Sequence, residues 1–211
     1  MARPKKKISR ARNKPQICPV ILAAGSARRL GFPQALARFG DRTALEIAVE
    51  NCASFTEPIV VLGCNAARVR AGVPRGARVV IHRGWRAGQL SSLRAGLRWV
   101  PRGAAFLLYP VDYPLLTARV VRRLADGFER GHGRHAIVVP VFRGRAGHPV
   151  IFSPAVRAEL LKAPTARAVV EKDPARVQRI ALNTPAICMD FNRPASYRRC
   201  KRMFSKREVP G

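Results

Sequence analysis

Two stretches of the 211-residue chain carry residue types that could do chemistry. The first, Leu22-Ala23-Ala24-Gly25-Ser26-Ala27-Arg28-Arg29-Leu30-Gly31-Phe32-Pro33-Gln34, follows an apolar run that begins at Ile17. Its small side chains let the backbone approach a ligand closely. Its consecutive N–H groups can cradle phosphate oxygens, and two arginines follow to neutralise them. It lacks both the Gly-Lys-Ser/Thr ending of a Walker A loop and the G-x-G-x-x-G spacing. The same composition also suits a tight strand-to-helix turn with solvent-facing arginines, and the residues alone leave both open. The second stretch, Pro110-Val111-Asp112-Tyr113-Pro114, sets a carboxylate after another apolar run in a chain with only 12 acidic residues. Asp112 is either a functional carboxylate or a turn-forming Asp.

The elements that must position these residues follow from the apolar pattern. Short runs rich in Val, Ile and Leu recur at Ile17 to Leu22, Pro58 to Gly63, Arg78 to His82, Ala104 to Tyr109, Ala136 to Val141 and Ile187 to Asp190, and read as buried strands. Helical segments lie between them. Thr43 with Glu46 forms a capping-box pattern, Ser91 or Ser92 can cap a helix carrying Leu93 and Leu97, Thr117 precedes Val120, Val121, Leu124 and Phe128, and Ser153 precedes Pro154. Strand alternating with helix specifies a mainly parallel, Rossmann-like sheet in a three-layer α/β/α sandwich. Ligands of such sheets sit at the carboxyl ends of the strands, where both stretches fall.

Charge dominates the composition: 40 Lys and Arg against 12 Asp and Glu, a net +28. Residues 1–16 carry seven basic groups and no acid, and residues 197–211 carry six with only Glu208. Taking these 13 away leaves 27 basic residues against 11 acidic ones, so the excess pervades the body too. The ends, 1–16 and 199–211, read as mobile basic tails that attract nucleic acid non-specifically, flanking one domain at 17–198. Five cysteines without a C-x-x-C pair point to reduced thiols in a cytoplasmic setting. No run approaches the roughly 20 apolar residues of a membrane span, and His132 and His135 read as a solvated loop.

The first stretch resembles the L-A-A-G-x-S/G-x-R-M-G-x-P-K signature of nucleotidyltransferases with a MobA-like NTP-transferase domain. Further blocks follow in order. His82 to Leu97 is similar to N-x-x-W-x-x-G-x-x-x-S-L-x-x-G-L, Asp112-Tyr113-Pro114-Leu115 to D-x-P-L, Arg145 to Val150 to R-x-G-H-P-V, and Met189 to Pro194 to the late D-x-D-T-P element. The G-Q-L-S-S-L and R-x-G-H-P blocks look most like the molybdenum cofactor cytidylyltransferase branch.

The resemblance implies a nucleotide-diphospho-sugar transferase type of fold and transfer of a nucleoside monophosphate, CMP from CTP before GMP from GTP, to a phosphorylated acceptor such as molybdopterin. It implies Mg²⁺, or Mn²⁺, at Asp112 and Asp190. Leu22, Ala23, Ala24, Gly25, Ser26, Ala27 and Arg28 would surround the triphosphate, with Arg29, Gln34 and Asp112 catalytic. Gly88, Ser91 and Ser92 are the base-recognition candidates, or a helix cap. Gly147 and His148 would line the acceptor pocket, His148 being equally well a buried, hydrogen-bonded histidine. The chain departs from the pattern at Ala27, Gln34, His82 and Asn192, where the family has Gly or Ser, Lys, Asn and Asp. Gln34 is the weightiest, because an amide offers the phosphates a dipole in place of a full charge. A catalytically impaired nucleotide-binding protein, or a basic nucleic-acid-associated protein, is the alternative.

Overall fold

Alternate side chains of the first strand face two different cores. In β1 (Ile17–Ala23), Ile17, Ile21 and Ala23 join one apolar cluster while Cys18, Val20 and Leu22 join the other. A strand with both faces covered needs a helical layer on each side. The computed structural model describes residues 16–26, 28–131 and 134–208. Ala27, His132 and nearly all of the N-terminal basic segment lie outside them.

After β1 the chain forms a small hairpin, β2 (Arg38–Phe39) and β3 (Arg42–Thr43), then α1 (Ala44–Glu50), β4 (Ile59–Leu62), α2 (Ala66–Arg70), β5 (Arg78–Ile81), α3 (Gln89–Leu97) and β6 (Ala105–Pro110). There follow α4 (Ala118–Arg130), β7 (Ile137–Phe142), β8 (Arg145–Ala146), β9 (Val150–Phe152), α5 (Arg157–Lys162), α6 (Ala166–Glu171), β10 (Val177–Ala181) and α7 (Pro194–Glu208). The 8-stranded sheet has the order β10-β7-β9-β6-β1-β4-β5, with β8 paired to β7. Pairs β1–β4, β1–β6, β4–β5 and β7–β10 are parallel, whereas β9 runs antiparallel to β6 and β7. This is the mainly parallel three-layer α/β sandwich that the alternation of runs predicts. No described helix is long and apolar enough to cross a membrane.

The capping box is present: Thr43 Oγ1 accepts from the Glu46 N–H at 3.1 Å and the Glu46 carboxylate accepts from the Thr43 N–H at 2.6 Å. Thr117 likewise caps α4. Four expectations change. Ser91 and Ser92 do not cap α3, whose first residue is Gln89 with Gly88 before it. Ser153 makes no capping bond, and Pro154 opens a short 3₁₀ turn ahead of α5. Ile187 to Asp190 is no strand. Pro185 has no N–H for a ladder, and Thr184 caps a 3₁₀ turn over Pro185–Cys188. The nearby strand is β10, a half-exposed edge whose Gln178 and Arg179 hide it from an apolar search.

The last change concerns the C-terminal end. Residues 199–208 belong to α7 rather than to a loose tail, because Cys200, Met203 and Phe204 repeat at helical spacing. Phe204 and Tyr197 of α7 meet Phe39 of β2 at centroid distances of 5.7 and 5.4 Å, and Phe39 meets Phe191 at 5.2 Å. This aromatic cluster holds the segment before α7, which carries Asp190 and Asn192, against the sheet. Part of the cationic excess is structural: Arg157 donates to the carbonyls of Leu97, Val100 and Pro101, and Arg94 to those of Leu160 and Ala163.

Candidate active site

β1 and β6 are parallel neighbours with Leu22 paired to Pro110, so the loops that leave them emerge side by side. Between these loops lies a cleft of about 310 Å³. It is lined by the chain from Leu22 to Ser26 with Pro33, Gln34 and Ala35, by Trp85, Arg86, Gly88, Gln89 and Ser92, and by Pro110, Val111 and Asp112. Gly25 and Asp112 thus line one cavity. Gly88 takes φ +96° and ψ −179°, a region open in practice only to glycine, which turns the chain sharply into α3 at the cleft mouth.

Asp112 ends the wall laid down by β6. Burial, and after it the neighbouring Asp190 carboxylate, push its carboxyl up to about 6. The two acids come together because the Phe191 N–H donates to the Asp112 carbonyl at 3.1 Å. Asn192 sits beside them and donates from Nδ2 to Asp190 Oδ2. In turn Gln34 Nε2 donates to Asn192 Oδ1 at 3.0 Å and to the Phe191 carbonyl at 2.9 Å. Two neighbouring carboxylates, of which Asp112 lines the cleft, suit a hard divalent cation. Among the described residues no group of three or more His, Cys, Asp or Glu could hold a metal. Two carboxylates with ligand oxygens and waters are what Mg²⁺ or Mn²⁺ ordinarily accepts.

Other sequence-predicted positions fall elsewhere. Arg28 and Arg29 are exposed and do not line the cleft. Arg86 does, its guanidinium 4.9 Å from the Trp85 ring centroid. Ser92 faces the cleft, but Ser91 turns away, its hydroxyl donating to the Gly88 carbonyl at 2.7 Å and meeting His82 Nε2 at 3.0 Å. Gly147 and His148 lie outside the cleft lining. A Cβ on Gly147 would stand 2.1 Å from the Ile187 carbonyl oxygen, so only glycine lets the two segments touch. The His148 ring packs on Tyr113 at 5.0 Å, its Nδ1 is buried without a partner, and burial lowers its pKa to about 4. Trp85, Arg86 and Gln89 also line the cleft and are not among the site residues expected from the sequence. The signal lay in their position at the turn into α3, where a cation and a flat aromatic surface stand together.

The matching family model is the MobA-like NTP transferase domain, over residues 19–178. Among solved structures, Rv0371c from Mycobacterium tuberculosis H37Rv is similar, with a TM-score of 0.79 at 30% identity over 90% of this chain and 99% of that one. A second structure of that protein, 28% identical with a TM-score of 0.74 over 89% of this chain and 98% of that one, is a complex with manganese. The Rv0371c homolog from Mycobacterium sp. strain JC1 is also 30% identical, with a TM-score of 0.76 and coverage of 91% and 98%. A nucleotidyl transferase from Methanothermobacter shares the fold at 21% identity, with a TM-score of 0.76 over 92% of this chain and 99% of that one. Among curated proteins none matches the sequence. The fold, the cleft and the family model agree: the chain belongs to the MobA-like NTP transferase domain family and is an enzyme of the nucleotidyltransferase type.

Proposed function

We propose that the protein is a cytoplasmic, divalent-cation-dependent cytidylyltransferase that moves CMP from CTP onto a phosphorylated acceptor of the molybdopterin kind. The observation that carries this is the meeting of the Leu22–Ser26 backbone and the Asp112 carboxylate across one cleft. In the reaction an acceptor oxyanion attacks the α-phosphorus. A P–O bond forms to the acceptor, the bond to the β-phosphate oxygen breaks, and pyrophosphate leaves with the electron pair.

Such a reaction asks the protein for alignment and charge neutralisation above all. Backbone N–H groups from Ala24 to Ser26 bind the phosphates, Arg86 supplies a cation, and Gly88 with Ser92 borders the base. Asp112 and Asp190 hold Mg²⁺ or Mn²⁺, which neutralises the triphosphate when bound. The acceptor enters from the side of Gly147 and His148. His148, its pKa lowered by burial, stays neutral there. Cytidine is favoured over guanosine by the G-Q-L-S-S-L and R-x-G-H-P blocks. The transferase domain spans residues 17–208, since Cys200 and Phe204 of α7 belong to its core, and the basic residues 1–16 bring non-specific affinity for nucleic acid that falls steeply with salt.

The full-length protein, incubated with each NTP, Mg²⁺ and a panel of phosphorylated acceptors, should release pyrophosphate fastest with CTP. Silence across the panel, beside an active family enzyme, rejects the proposal. Faster release with GTP moves it to the guanylyl branch.

A further inference from the structure

The amide of Gln34 has two N–H groups, and both are taken. One donates to the Phe191 carbonyl at 2.9 Å, the other to Asn192 Oδ1 at 3.0 Å. A backbone carbonyl can only accept, so the Phe191 oxygen decides which end of the Gln34 amide faces it. With its NH₂ so turned, Gln34 presents a donor to Asn192. Asn192 must then point its own oxygen towards Gln34 and its NH₂ towards Asp190, and its Nδ2 does donate to Asp190 Oδ2. Each orientation follows from the one before it, from a fixed backbone atom through two amides to a carboxylate. The remaining Gln34 oxygen lies towards the phosphate-side loop, 3.6 Å from where a Cβ on Gly25 would stand. An acceptor atom there gives nothing to a phosphate.

We infer that Gln34 is a positioning residue, which orients the Asp190 carboxylate through Asn192, and not a ligand of the triphosphate. The inference rests on the transferase reading of the cleft, and it turns two departures from the family pattern, at 34 and 192, into one unit. A Lys with an Asp carries zero net charge, as does a Gln with an Asn. The neutral pair holds its geometry by directed hydrogen bonds alone.

The test separates metal from nucleotide. Mn²⁺ affinity of the full-length protein is titrated by electron paramagnetic resonance, and CTP affinity is measured calorimetrically in EDTA. Loss of an outer-shell partner ordinarily weakens metal binding about 10- to 100-fold. Gln34→Met should therefore weaken Mn²⁺ by about tenfold or more while metal-free CTP affinity stays within about twofold. Asn192→Leu should do the same, and adding Gln34→Met to it should cost nothing further, because the first substitution already breaks the path. A fall in CTP affinity with unchanged Mn²⁺ affinity in Gln34→Met overturns the inference and makes Gln34 a phosphate ligand. Additive losses in the double variant overturn it as well. Should Gln34→Met not fold by near-ultraviolet circular dichroism, Asn192→Leu decides: unchanged Mn²⁺ affinity there refutes the path. Wild-type protein that takes up no Mn²⁺ sinks the metal-centre reading and this inference together, whereas equal Mn²⁺ affinity in wild type and variants sinks the inference alone.

Discussion

Replacing Asp112 by Asn should make the cation-free protein more stable while destroying its activity, and the structure sets the size and pH range of the gain. Asp112 has its carboxyl raised to about 6 by burial and by Asp190, against an ordinary value of 3.8. Between those two values the folded protein keeps a proton that the unfolded chain releases, so the unfolded state binds fewer protons and stability falls as pH rises. The penalty is absent below about pH 4, grows through about pH 4–6 and is complete above it. A shift of about two pH units corresponds to about 3 kcal/mol. Asn is the same shape without the charge but must still be hydrogen-bonded, so about 1–3 kcal/mol is expected, or roughly 3–9 °C in Tm for a domain of this size. The assay is calorimetric unfolding of wild type and Asp112→Asn in EDTA from pH 4 to pH 8. The order should invert on adding Mn²⁺, which stabilises the folded form that binds it. A variant no more stable than wild type at pH 8, or a difference that does not change with pH, would refute the electrostatic argument.

Three further substitutions probe the frame around the cleft. Asn51 is buried and donates to Tyr109 Oη at 3.1 Å and to the Leu116 carbonyl at 2.9 Å, so Asn51→Ala should destabilise by about 2–3 kcal/mol in urea unfolding, with the KM for CTP unchanged. In Gly147→Ala the added methyl would collide with the Ile187 carbonyl; about 1–3 kcal/mol of stability should go, together with a rise in KM for the acceptor alone. Gln34→Lys sets an ammonium beside Asn192, close to where the divalent cation sits, so Mn²⁺ affinity and pyrophosphate release should both drop. A gain in turnover would restore the phosphate-ligand role expected for that position.

What the residues determined by themselves was the class of fold and the place of the chemistry. Runs such as Val60-Val61-Leu62 and Phe106-Leu107-Leu108 are apolar on both faces, and only a sheet covered on two sides buries them; local cap chemistry at Thr43 and Thr117 is written in adjacent residues. Less was legible where neighbours in space are far apart in sequence. β9 has three residues and β10 alternates polar with apolar, so only pairing to β6 and β7 makes them strands. The basic residues 199–208 look like a tail until Cys200 and Phe204 find the aromatic cluster around Phe39 and Phe191. Within the candidate site, Gly25 and Asp112 fall in loops that the sequence already sets at strand ends, but tertiary structure decides which cation lines the cleft: Arg86, not Arg28 or Arg29. It also decides what Gln34 touches. A side chain's chemistry is set by the atoms that hold its donors, and those of Gln34 come from residues 157 and 158 positions away.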